Sequence, residues 1–222
     1  MTALVMIAIL GAGAAYGIPW AIDKFGGQVR ETFNETVENA VNTLQPSGAD
    51  FPDLTVAADD VADHFYYQQL TEEEQTVYRE LLQGVNDMEE CILVHAGKGE
   101  RPEKAYEYLL YDCPELFWCI GSSQMTMYDT YTEFYPEYSC SLEERETRQN
   151  EIDAAVTDCM AGIDASAGEY DRIRYVFEYL VNTVDYDENA PDNQNIYSAL
   201  VGTSSVCAGY SRAAQYLLDH MG

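Results

Sequence analysis

Residues 194–222 read QNIYSALVGTSSVCAGYSRAAQYLLDHMG. Behind Cys207 lie Gly202 and a run of hydroxyl residues, which predicts a loop. Ahead of it Tyr210, Ala214, Leu217 and Leu218 recur at helical spacing, so Cys207 stands at the head of an amphipathic helix. A helix start gathers free amides and partial positive charge, and both favour a thiolate over a thiol. The Cys207 amide would be one donor to an oxyanion. Gly209 suits the close approach of a substrate or a neighbouring helix. A buried structural cysteine is the plain alternative.

Working upstream, YVFEYLVNTV predicts a helix whose apolar stripe is Ile173, Phe177, Leu180, Val181 and Val184, with Ser166 and Glu169 as its capping box. The acidic loop DYDENAPDN follows it. Asp185, Asp187 and Asn189 match the first calcium ligands of a helix–loop–helix site, but Ala190 replaces the required glycine and Ile196 the closing glutamate. An ordinary acidic loop is therefore expected. Ser141 with Glu144 caps a longer helix carrying Leu142, Ile152, Val156, Cys159 or Met160, and Ile163. LFWCIG and MTMYDTYTEFYPEY are rich in β-branched and aromatic residues and read as a hairpin turning near residues 121–124, closed by Pro136. Pro102 opens a helix through Tyr106, Leu109 and Leu110. Thr71 with Glu74 opens another, whose stripe of Tyr78, Leu81, Leu82, Val85, Met88 and Ile92 runs to Gly97 and Gly99.

The first residues differ in kind. Residues 3–22 form an uncharged apolar run long enough to span a bilayer, and Ala12-Gly13-Ala14 would also serve as a signal cleavage site. Either reading implies export: a membrane anchor with an extracytoplasmic domain, or secretion. The organisation expected is an anchor or signal segment over 1–22, a stalk over 23–55, a helical and β region over 56–165, and the Cys207 region over 166–222. The formal net charge of −28 repels nucleic-acid phosphates and anionic lipid headgroups, so nucleic acid is excluded as a partner.

The six cysteines, at 91, 113, 119, 140, 159 and 207, lack paired C-x-x-C spacing, which argues against a zinc ribbon. Cys113 and Cys119 are nearest in sequence, and spacing alone does not pair them. The histidines are His64, His95 and His220. Cys91 and His95, four apart, have no second pair to complete a metal site. No cofactor is implied.

Residues 202–218 closely resemble the G-x-x-x-V-C-x-G-Y-[SA]-x-A-x-x-x-L-L segment of bacterial transglutaminase-like proteins, and residues 171–193 resemble the helix and loop before it. That family has a papain-like fold in which the cysteine helix packs on a small sheet bearing a histidine and then an aspartate. The resemblance implies that Cys207 is the nucleophile, forming a thioester from a protein or peptide carbonyl that an amine or water resolves. The class expected is α+β: a helix-rich N-terminal region with a small hairpin or sheet, then the helical half of a papain-like core. The family's histidine and aspartate follow the cysteine helix, past the position of Gly222. Residues 1–222 are therefore expected to be inactive alone, and a truncated reading frame is the simpler account. A non-catalytic cell-surface binding or scaffold module is the alternative. A redox role would need a resolving cysteine nearby, and none is local.

Overall fold

The computed structural model describes residues 50–222. The expected anchor and most of the stalk lie outside the described residues. Among the described residues no helix is long and apolar enough to cross a membrane. The described chain is mixed α and β, with a small antiparallel sheet.

Helix α1 spans Glu72–Asn86, and its start is the capping box expected: Thr71 Oγ1 accepts from the Glu74 amide, and the Glu74 carboxylate accepts from the Thr71 amide. Its end is earlier than the apolar stripe predicts. Met88 turns left-handed at φ 53°, the Glu89 amide reaches Gly84 O, and the Met88 amide reaches Val85 O. This double bond pattern closes a helix by satisfying its last carbonyls. Ile92 therefore lies not on the helix but on strand β1, Ile92–Val94. The strand passes so close to α1 that a Cβ on Gly84 would lie 2.4 Å from Ile92 Cγ1.

Helix α2, Pro102–Asp112, begins on the proline as expected. Strands β2, Cys119–Met127, and β3, Thr132–Tyr138, form the hairpin, but it turns at residues 128–131, where the Tyr128 amide donates to Tyr131 O at 2.8 Å. Gly121 sits instead in a bulge in β2, at φ 83°, where the register shifts between Cys119 and Ser123. The central strand is β3, in the order β1-β3-β2. Pro136 is inside β3 rather than closing it. The position tolerates proline because β1 pairs only with 132–134, leaving β3 a single partner at the bulge. Tyr78, Leu109, Phe117 and Phe134 form the core between this sheet and the two helices.

Helix α3, Leu142–Met160, starts on the expected Ser141–Glu144 box. It buries Ile152, Val156 and Cys159, while Leu142 is exposed. Helix α4, Glu169–Thr183, has Gly168 at its N-cap with no side-chain bond. Ser166 does not cap it, because its hydroxyl and amide are both bonded to Asp164. Strand β4, Asp185–Tyr186, pairs in parallel with β5, Ser204–Ser205, across the short helix α5, Ile196–Leu200. Helix α6 is Cys207–Met221. The two regions share one core and several polar ties, among them Arg148 Nη1 to Asp192 Oδ2 at 2.8 Å and Tyr175 Oη to Cys159 O at 2.7 Å. Asn195 Nδ2 donates to Phe117 O at 3.1 Å, and Gln215 Nε2 to Asp112 O at 3.1 Å.

Candidate functional site around Cys207

The loop before α6 is fixed by buried hydroxyls and an amide. Asn195 Oδ1 accepts from the amides of Tyr197 and Ser198, capping α5. Ser198 Oγ lies 2.8 Å from Ser205 Oγ, which itself donates to Asn193 O at 2.8 Å. Ser198 and Ser205 are buried, so these bonds satisfy groups that water does not reach. Thr203 makes the turn at φ 52°. The chain then passes through β5 to extended Val206 and into α6 at Cys207.

Both glycines of the motif have a steric reason. A Cβ on Gly202 would lie 2.8 Å from Ser198 O. One on Gly209 would lie 1.9 Å from Ser205 Oγ and 2.9 Å from Asn195 O. Gly209 is thus what lets the first turn of α6 press onto the loop and β5, where the sequence suggests approach of a substrate or a neighbouring helix.

Cys207 is the exposed member of six free cysteines. No side chain caps α6, so its first-turn amides are left for a ligand or solvent. The other thiols are held protonated by burial. Burial raises Cys113, Cys159, Cys91 and Cys140, and pushes Cys119 up to about 12. Cys113 and Cys119 are both buried with free thiols.

The histidines are engaged elsewhere. His64 Nδ1 is 2.9 Å from Tyr78 Oη, which donates to Asp112 Oδ2 at 3.1 Å. The carboxylate of Asp112 accepts only, so the tyrosine proton goes there and His64 Nδ1–H donates to Tyr78. Asp112 also accepts the amides of Tyr66 and Tyr67, each at 2.9 Å. The sequence reading missed this hub; Asp112 at a helix end beside a cysteine gave no pattern to find it by. His95 pairs with Glu80 and stacks on Phe51 at 3.7 Å. His220 bonds Tyr216 O at 2.8 Å, at the far end of α6. None of the three is bonded to Cys207.

The apolar stripe expected on α4 is divided. Leu180 and Val184 are buried, joined by Val176, but Ile173, Phe177 and Val181 are 49%, 65% and 57% exposed. Tyr170 and Tyr186 are exposed as well. A matching stripe runs along α6: Cys207, Tyr210, Ala214, Leu218 and Met221 share one face, exposed or half-buried, while Gly209, Ala213, Tyr216 and Leu217 fill the buried one. The helices are antiparallel neighbours. Arg172 near the start of α4 bonds the Met221 and Gly222 carbonyls at the end of α6. At the opposite end Tyr210 Oη donates to Val184 O, and Tyr186 stacks on Tyr210 with ring centroids 6.5 Å apart. The end of α4 and the start of β4 therefore lie beside the first turns of α6. Among the described residues nothing covers the exposed α4 side chains.

Chemically, the arrangement supplies an accessible thiol, a helix-start electrostatic environment and uncommitted amides. It supplies no base. Groups of three or more metal-ligating side chains are absent among the described residues. Compared with known families and curated proteins, the chain matches no family model and no curated protein.

Proposed function

We propose that residues 166–222 are the helical half of a papain-like, transglutaminase-like core, and that Cys207 is its nucleophile toward protein or peptide carbonyls. The observation that carries this reading is the placement of Cys207. It is the exposed thiol, at an uncapped helix start, on the helix that packs antiparallel to α4 and its exposed apolar stripe. In the proposed reaction the Cys207 thiolate attacks a carboxamide carbon, and the Cys207 amide stabilises the oxyanion. Collapse expels ammonia or an amine and leaves a thioester, which an amine or water then resolves. A base must take the thiol proton and return it to the leaving group. No described histidine is placed for that, so the base and its orienting acid come from a polypeptide element that covers the apolar stripes. The described chain binds and presents the nucleophile; by itself it turns over little or nothing. The apolar run over 3–22 supports an anchored or secreted location for this chemistry.

The second reading, a non-catalytic cell-surface binding or scaffold module, is favoured by the engagement of all three histidines away from Cys207. One experiment separates the two. Purified residues 23–222 are mixed with p-nitrophenyl acetate, and the acylated residue is located by mass spectrometry. The enzyme-core reading expects stoichiometric acylation of Cys207, faster than at any other thiol and absent in Cys207→Ala. Acylation spread evenly over Cys91, Cys140 and Cys207 would favour the binding module.

A further inference from the structure

We infer that the exposed face of α4 and β4 is a docking surface for a polypeptide segment that is apolar on one side and lysine- or arginine-bordered along its edge. The inference rests on the reading above only for its consequence, since the docked element would lie on the helix that packs against α6. The surface itself is independent of that chemistry.

Ile173, Phe177 and Val181 recur at four-residue spacing, with Tyr170 one turn before them and Tyr186 just after the helix. All five are exposed. One large exposed apolar side chain is ordinary; four aligned on one face of the same helix, Tyr170, Ile173, Phe177 and Val181, are not. Solvation alone gives no reason for the alignment, because Leu180, Val184 and Val176 already anchor the helix to the core.

The border of the face identifies the occupant. Asp171 and Glu178 line one side of the stripe along α4, and Asp185, Asp187 and Glu188 follow at the Tyr186 end, all exposed. The local cations are committed. Arg172 is spent on the end of α6, and Arg174 lies 3.6 Å from Asp171 and 3.8 Å from Glu178. A second copy of this chain would bring the same carboxylates to the same border, and each copy has a net charge of −28. Like charges across an interface oppose association, whereas a basic border steers and orients it. An anionic membrane is disfavoured on the same ground. A segment with alternating apolar and cationic residues meets both conditions. It would lay its apolar side chains on Ile173, Phe177 and Val181 and its cations on Asp185, Asp187 and Glu188, which no cation of the described residues pairs.

The test uses the full chain and a fluorescein-labelled synthetic peptide of alternating leucine and lysine, read by anisotropy at about 150 mM salt, where distant charges are screened. Wild type should bind about tenfold or more tightly than the Ile173→Ser/Phe177→Ser double variant, the loss expected when two large apolar side chains no longer bury surface. Both residues are exposed, so circular dichroism should show the double variant folded. Glu178→Lys, with the apolar stripe intact, should also weaken binding, and a leucine–glutamate peptide should bind far less. Cys207→Ala should bind like wild type, so a failed nucleophile assay and a failed docking assay are separable. Equal binding by the double variant would reduce the effect to bulk charge and overturn the proposal. So would equal binding of the leucine–glutamate peptide, a concentration-dependent wild-type dimer lost in the double variant, or stripe-dependent binding to phosphatidylcholine vesicles.

Discussion

Cys207 and His220 occupy opposite ends of one helix, thirteen residues apart, and His220 turns its ring onto the carbonyl of Tyr216. At 1.5 Å of rise per residue the separation is about 20 Å, while proton transfer needs about 3 Å. The reactivity of Cys207 is therefore expected to be independent of His220. Timed iodoacetamide labelling with peptide mapping should find Cys207 alkylated about tenfold or more ahead of Cys113, Cys119 and Cys159, whose burial keeps them as thiols. His220→Ala should leave that rate unchanged. A large fall in the His220→Ala rate would mean that the ring reaches Cys207 from another molecule.

Gly209 presses the first turn of α6 against Ser205, with no space for a methyl group. Gly209→Ala would force the serine hydroxyl, and behind it the Asn193 and Asn195 carbonyls, to shift. Overpacking of this kind costs about 1–3 kcal/mol, more than the gain in helix propensity returns. Urea unfolding should show a lower midpoint for Gly209→Ala with an unchanged slope. An unchanged midpoint would mean that the loop yields freely and does not position the thiol.

The helix starts at Thr71, Ser141 and Pro102 were legible because each is a local signal: at Thr71 and Ser141 a side chain within four residues satisfies the first amides, and Pro102 has the fixed φ and missing N–H that suit a first helical position. The Cys207 helix was legible from the helical spacing of Tyr210, Ala214, Leu217 and Leu218 instead, since no side chain caps it. Three misreadings share another cause. Ile92 fits the helical period of α1, but the left-handed turn at Met88 ends the helix, and non-glycine residues seldom advertise that turn. Ser166 and Glu169 spell a capping box, yet Asp164 lies closer to the serine and takes its hydrogen bonds. On α4 the periodicity revealed an apolar face without revealing that half of it is uncovered, because periodicity reports what a helix could bury and not what is present to bury it. Asn195 was readable in principle, as an asparagine directly before a short apolar run, whereas its bond to Phe117 O joins residues 78 positions apart.

Glu74 gives α1 a pH dependence. Burial pushes its carboxyl upward, but the hydrogen bonds and charge of Lys104, 2.8 Å away, and the Thr71 amide outweigh this and hold it below its ordinary value of 4.5. A carboxyl lowered in the folded state adds stability above its unfolded value, and that stability is lost as pH falls through the folded value. Thr71→Ala should cost about 1 kcal/mol at neutral pH through the lost cap. Glu74→Gln should destabilise at neutral pH, and its difference from wild type should narrow as pH falls below about 4.5. Chemical unfolding at a series of pH values measures this; a gap that widens on acidification would mean that Glu74 is not the group stabilising the helix start.

Asn195 has the largest expected effect of a single polar side chain. It is buried, its Oδ1 caps α5 through two amides, and its Nδ2 donates to Phe117 O in the other region. Asn195→Ala leaves three backbone groups without those bonds, two of them buried, at about 1–3 kcal/mol for each group that water cannot reach. Asn195→Asp keeps the acceptor for the α5 amides but loses the donor to Phe117 O and buries a charge. Both variants should unfold at lower urea, with Asn195→Asp recovering toward wild type as acid neutralises its carboxyl. The Cys207 labelling rate should change less in Asn195→Asp than in Asn195→Ala, because the α5 cap that shapes the loop survives. Equal acceleration in both variants would mean that the tie to Phe117, not the cap, is what positions the cysteine.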